Sequence, residues 1–196
     1  MASIEYRLGR TGINSSVRRA ANFRKTADAA GEGSRYLEIG GCEGWSGRWW
    51  IDNVLPPGGL YVGIDIWADW PKDGLTGAEV KAQAQTNLQW DEGEVQLVTG
   101  DSSRVLAGSY LPESFDVIYI DGDHRLMPVL CDSVLSWGLL RVGGVMVWDD
   151  YGKRANGRQP KTAVDSFLSA MRGRHEKLFC NWQYGVRKTK HMTSKG

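Results

Sequence analysis

What most constrains this chain is a rhythm that begins near residue 34. Short apolar runs, each closed by an acid or a glycine, alternate with stretches of helical periodicity. The runs are Tyr36-Leu37-Glu38-Ile39, Leu60-Tyr61-Val62-Gly63-Ile64, Val95-Gln96-Leu97-Val98, the stretch from Phe115 to Ile120, and Val145-Met146-Val147-Trp148. Parallel neighbours are entered from the same end, so the chain must cross over between them, usually as a helix. The pattern predicts an α/β fold: a doubly wound, mostly parallel, seven-stranded sheet with helices on both faces. Short runs near 177–180 and 183–187 close it as an antiparallel hairpin.

The helices are placed by their stops and caps. One runs from about Ser46 to Val54 and ends at Pro56-Pro57-Gly58-Gly59. A second spans 76–90, where Thr76 and Glu79 make a capping box and Val80, Ala84 and Leu88 recur every four residues. Ser102 or Ser103 caps a short helix through Leu106. Another carries Val129, Leu130, Val134 and Leu135 and is followed by a turn at Gly143-Gly144; the last covers 161–172, with Val164, Phe167, Leu168 and Met171 on one face. Residues 1–33 form an extension with a helix from Ser15 to Ala30 that docks on the domain or covers its site. The domain itself is expected over 34–188, followed by a basic tail at 189–196.

With 196 residues, 41% of them hydrophobic, the chain suits one core. No apolar run approaches the about 20 residues that span a bilayer, and the start lacks the order of a secretion signal, so a cytoplasmic protein without a membrane partner is expected. Cys42, Cys131 and Cys180 show no paired spacing and read as reduced thiols, mostly in the core. Basic residues gather in 1–25 and 186–196 around an acidic body. Those ends offer a contact to nucleic acid, but without interleaved aromatic residues in the tail, solvated ends are the favoured reading.

In an open parallel sheet, ligands bind at the carboxyl ends of the strands, where loops and helix N-termini converge. The polar residues of this chain fall there: Glu38 and Gly40 after the first run, Asp65 after the second, Asp101 after the third, Asp121 after the fourth, Asp149 and Asp150 after the fifth. A core gains nothing from five strands each closed by a carboxylate, because crowding raises their mutual repulsion. The turn from Glu38 to Ser46 is glycine-rich, which lets backbone approach a ligand closely, yet it does not spell the dinucleotide fingerprint G-x-G-x-x-G. That absence disfavours a nicotinamide-dependent oxidoreductase.

The E-I-G-x-x-x-G-x-S turn, the acid after the second strand, Gly100-Asp101-Ser102 and Asp121-Gly122-Asp123-His124 together resemble class I S-adenosylmethionine-dependent methyltransferases. Within them the similarity is to the small O-methyltransferases, the catechol and metal-dependent sugar O-methyltransferase group with its Rossmann-like sheet. The resemblance covers roughly residues 34–151. It implies that Glu38, Gly40 and Gly44 shape the methionine pocket of the cofactor, with Ser46 near its carboxylate; Asp65 holds the ribose, Ile66 packs on the adenine, and Asp101 and Ser102 read the adenine edge, with Asp121 beside the cofactor.

It further implies a divalent ion, Mg²⁺ or alternatively Ca²⁺ or Mn²⁺, on Asp121, Asp149 and Asp150, as three hard oxygen ligands suggest. Asp123 competes with Asp121 at that turn, and Asp150 stands where catechol enzymes carry Asn. His124 matches the general base, and an unperturbed imidazole titrates near about 6.5. The acceptor is then a small-molecule or glycosidic hydroxyl, and related enzymes often assemble as homo-oligomers. A nucleic-acid methyltransferase and a non-catalytic module that kept the pocket are the competing readings. Trp45, Trp67 and Trp148 either wall the site or fill core, and 67–74 forms part of a lid.

Overall fold

The strands appear where the apolar runs lie. In the computed structural model, which describes residues 15–69, 74–108, 110–152 and 159–191, with side chains from residue 19 onward, they are β1 (Arg35–Ile39), β2 (Leu60–Asp65), β3 (Glu94–Thr99), β4 (Phe115–Ile120), β5 (Leu140–Trp148), β6 (His175–Cys180) and β7 (Tyr184–Lys188). Between them run α1 (Ser15–Ala30), α2 (Trp45–Asn53), α3 (Gly77–Asn87), α4 (Ser102–Leu106), α5 (Leu126–Leu139) and α6 (Pro160–Ala170). The sheet order is β3-β2-β1-β4-β5-β7-β6; the first five strands are mutually parallel, and β7 pairs antiparallel with both β5 and β6.

Strand alternation splits the core in two. Leu37, Val62, Ile64, Ile118, Ile120, Met146 and Trp148 face α4, α5 and α6, packing on Trp137, Val164 and Phe167. Tyr36, Tyr61, Tyr119, Val145 and Val147 face α1, α2 and α3, packing on Phe23, Trp49, Trp50 and Ala84. The second layer is aromatic: Tyr36 stacks on Tyr61 at 5.6 Å and on Trp50 at 4.7 Å, while Phe23 meets Tyr119 edge-on at 5.4 Å. Trp148 is thus a core residue, its indole N–H given to Ser133 Oγ at 2.8 Å, and does not wall the site.

Local chemistry departs from expectation at three places. Asp101, rather than Ser102 or Ser103, caps α4 and accepts the Ser103 amide at 3.0 Å, a role its carboxylate fills without a hydroxyl rotor. Gly143-Gly144 lie inside β5 instead of in a turn before it; Gly143 has φ +85°, and the β4–β5 register shifts between Phe115 and Val117. Glycines within a strand often mark such irregularities. Cys180 is exposed and Cys42 and Cys131 half-buried, so the thiols do not fill the core. The capping box of α3 forms as expected, with the Glu79 amide reaching Thr76 Oγ1 at 3.3 Å and the Thr76 amide reaching Glu79 Oε2 at 2.9 Å.

Candidate active site

Strand order reverses between β1 and β4, so the crevices above their carboxyl ends are where loops diverge to opposite faces and leave space for a ligand. Backbone bonds carry the ladder beyond the strand ends: the Gly40 amide donates to Ile64 O (2.8 Å), Asp121 to Ile39 O (2.8 Å), and Asp149 to Ile120 O (2.9 Å). These bonds bring the glycine turn, Asp65, Asp121 and Asp149 to one rim. Gly40 has φ +88°, and a Cβ there would lie 2.3 Å from Asp121 O, so only glycine lets β1 and β4 close this tightly. Gly44, also left-handed, is the N-cap of α2.

Beneath the turn lies Glu38, fully buried on the aromatic face. Ser46 Oγ donates to Oε1, and Tyr61 Oη donates to Oε2 at 2.6 Å. Burial pushes the carboxyl up to about 7, against the pull of the Ser46 and Tyr61 bonds and of Arg19. Tyr61 reaches it because Gly47 of α2 leaves room; a Cβ there would stand 2.5 Å from the phenol ring. Ser46 is therefore a partner of Glu38, and Tyr61, the second, carried no signal in the sequence.

Asp65 braces the turn from the other side. Its Oδ2 accepts the Cys42 amide at 2.8 Å and its Oδ1 the Trp67 amide at 2.8 Å, tying the loop after β1 to the loop after β2. A carboxylate has about four acceptor positions, so two N–H bonds leave capacity for hydroxyl donors. Ile66 beside it is 61% exposed, an apolar face turned to solvent at the rim. Trp67 is buried and donates its indole N–H to Cys42 O at 3.1 Å; residues 70–73 of the expected lid lie outside the described residues. Trp45 is buried too and bonds Glu43 Oε2 at 3.2 Å. Asp101 is exposed, and Ser102 Oγ donates to Asp132 Oδ1 at 2.6 Å.

The acids after β4 and β5 meet a cation from a distant part of the chain. Arg19 of α1 forks across them, Nη1 to Asp121 Oδ2 at 3.2 Å and Nη2 to Asp149 Oδ2. Asp150, at φ +54°, instead pairs with His124, whose Nε2 lies 3.2 Å from its Oδ2. Burial, with Asp149 alongside, pushes the Asp121 carboxyl well above the ordinary range while Arg19 opposes it. Burial also works against the Arg19 charge, but Asp121, Tyr119, Asp149 and Asp150 outweigh it and the guanidinium holds its proton more tightly than in water. Asp123 turns away to Arg125.

Asp121, Asp149 and Asp150 thus share a rim without forming the expected metal cage. Among the described residues, no group of three or more His, Cys, Asp or Glu side chains is arranged to hold an ion. The physical reason is that a guanidinium lies across two of the carboxylates and an imidazole pairs with the third. The donor set does not fit a resident Mg²⁺, Ca²⁺ or Mn²⁺.

Arg19 was not singled out by sequence reasoning, nor was the rest of the α1 face it belongs to. Asn22 Nδ2 donates to Asn181 Oδ1 at 2.9 Å and to Gln183 Oε1 at 2.8 Å, and Gln183 Nε2 donates to Tyr119 Oη at 2.9 Å. Phe23 is fully buried against Trp49 and Trp50, and Thr26 is buried one turn on. Spacing of 19, 22, 23 and 26 was the available signal, but three of the four are polar, which reads as a solvated face.

The model of a methyltransferase domain family matches residues 37–151. A protein of Acanthamoeba polyphaga mimivirus, uncharacterized protein R132, is 44% identical over 59 residues, which are 30% of this chain and 27% of that protein, so the chain matches only about a quarter of that relative's length. Among solved structures, the S-adenosylhomocysteine-bound methyltransferase PaMTH1 of Podospora anserina superposes with a TM-score of 0.61 at 20% identity, covering 92% of this chain and 84% of that one. The O-methyltransferase TomG of Streptomyces achromogenes, solved with S-adenosylmethionine, gives 0.56 at 17% identity over 93% and 90%. These two likenesses are of fold, whereas the family match runs from within β1 to just past β5, through every strand end that supplies the rim, and by it the chain belongs to the methyltransferase domain family.

Proposed function

We propose that this chain is an S-adenosylmethionine-dependent methyltransferase that methylates a hydroxyl oxygen of a small molecule or sugar. The observation that carries the reading is the braced glycine turn at the switch point, with Asp65 bonded to the amides of Cys42 and Trp67 and Glu38 buried below. It fits the cofactor: Gly40 and Gly44 expose backbone, Asp65 has acceptor capacity for ribose hydroxyls, and Ile66 offers an apolar face to a base. When bound, S-adenosylmethionine would supply a sulfonium methyl to an attacking oxygen, the C–S electron pair leaving with the thioether sulfur.

The protein's own task is positioning and proton removal. His124 is the base. Its Nε2 lies 3.2 Å from Asp150 Oδ2, so Asp150 stabilises the imidazolium that results when the ring takes the acceptor proton. Asp121 stands at the end of β4 beside the glycine turn, its amide bonded to Ile39 O.

Calorimetric titration with S-adenosylmethionine tests the reading. Wild-type protein is expected to bind, and Asp65→Ala, which removes two charge-assisted bonds of about 1.5 to 3 kcal/mol each, to bind at least about tenfold more weakly. Absence of heat with the wild type would overturn it. Transfer of a labelled methyl across a panel of hydroxyl, amine and carboxylate acceptors then checks the choice of oxygen.

A further inference from the structure

Two carboxylates at the ends of neighbouring parallel strands repel each other, and either a retained proton or a cation offsets that repulsion. In β4 and β5 the pairing of Ile120 with Trp148 puts Asp121 and Asp149 side by side, and the group between them is Arg19. A guanidinium suits that task, because its planar fork sets one nitrogen against each acid. It is also fixed in place. Phe23, one helical turn along, is clamped by Trp49, Trp50 and Tyr119, and Asn22 is bonded to Asn181 and Gln183. An ion entering the site would have to evict a partly buried arginine and leave its charge without these partners, which is costly.

We propose that Arg19 is a tethered replacement for a divalent ion: docking of α1 supplies the positive charge of the acceptor site, so the site needs no metal and excludes one. Its meaning for methyl transfer rests on the function proposed above, with Arg19 as a positioning residue that keeps Asp121 and Asp149 in register. A corollary is that α1 is part of the site rather than a lead-in, since without it the acids at the two strand ends face each other alone.

The probe is Mn²⁺, titrated calorimetrically into full-length wild type, Arg19→Ala, Arg19→Lys and Arg19→Ala/Asp149→Asn, with cofactor binding measured separately on each. Wild type and Arg19→Lys are expected to bind no Mn²⁺ below about 1 mM, and Arg19→Ala to bind it at least about tenfold more tightly than wild type, a gain that Asp149→Asn abolishes. Micromolar binding by the wild type overturns the proposal, as does an Arg19→Ala protein with no more affinity than wild type. Where Arg19→Ala does not fold alone, refolding with Mn²⁺ replaces the titration: recovery that depends on the ion supports the proposal, and no recovery overturns it. A merely structural arginine would lower stability without creating an ion site. If wild type fails to bind S-adenosylmethionine, the functional reading falls while the Mn²⁺ result stands by itself.

Discussion

Glu38 shows what a single residue can hold. Its carboxyl is pushed by burial from its ordinary 4.5 to about 7, so between those values the folded chain keeps a proton that the unfolded chain releases. Stability from this group is full below pH 4.5 and is lost as pH rises toward 7, a span worth about 3 kcal/mol. Asp132, raised to about 6 by burial, adds to the slope in the same sense. Glu38→Gln is expected to flatten this fall, read by urea denaturation at a series of pH values; an unchanged slope would remove Glu38 as its source. Gly47→Ala drives a methyl against the Tyr61 ring and is expected to cost about 1 to 3 kcal/mol, seen as a lower urea midpoint at unchanged m-value. The acids at the strand ends were legible as residues, because a carboxylate closing an apolar run is seldom buried without purpose. Their partners were not. That Tyr61 serves Glu38 depends on Gly47 and Gly63 leaving room for its ring, a fact of packing across three elements.

Among the elements, strands and helices with apolar periodicity fell where expected, because period and caps are local properties. Gly143-Gly144 misled, since glycines punctuate turns more often than they kink strands, and only pairing with β4 and β7 keeps them inside β5. Helix α1 was legible as a helix that docks on the domain or covers its site, but the residues that dock it were not. Its inward stripe joins one aromatic anchor to Arg19, Asn22 and Thr26, and polar side chains satisfied by distant partners look in sequence like side chains facing water. Phe23 is then the residue on which docking depends. Phe23→Ala empties a fully buried site between α1, α2 and β4 and is expected to cost about 3 to 5 kcal/mol. Proteolysis should first cut within α1 in that variant; cleavage elsewhere first would show that α1 is held by other contacts.

Over the whole molecule, burial falls away from the middle of the sheet. β1, β4 and most of β5 are buried, whereas β3 and β6 carry exposed or half-buried positions along nearly their entire length. Amide hydrogen exchange should accordingly be slowest in β1 and β4 and faster by orders of magnitude in β3 and β6, which open without disturbing the centre. Equal protection across the sheet would mean that it opens only as one unit. No helix among the described residues is long and apolar enough to cross a membrane. Of the basic ends, residues 1–14 and 192–196 lie outside the described residues; of those inside, Arg19 serves the acids and Lys188 is buried with its ammonium on the carbonyls of Trp137 and Leu140, whereas Arg24, Lys25 and Lys190 are exposed.

The amide of Asn22 spans some 160 positions of sequence to reach Asn181 and Gln183. Synthesis runs in one direction, so α1 leaves the ribosome long before the turn that receives it exists. Its aromatic partners Trp49 and Trp50 are made first, the acids at 121 and 149 later, and the turn at 181–183 after both. Folding of the central strands and full docking of α1 are thereby separate events, the second waiting on a segment made some 160 residues after the helix itself.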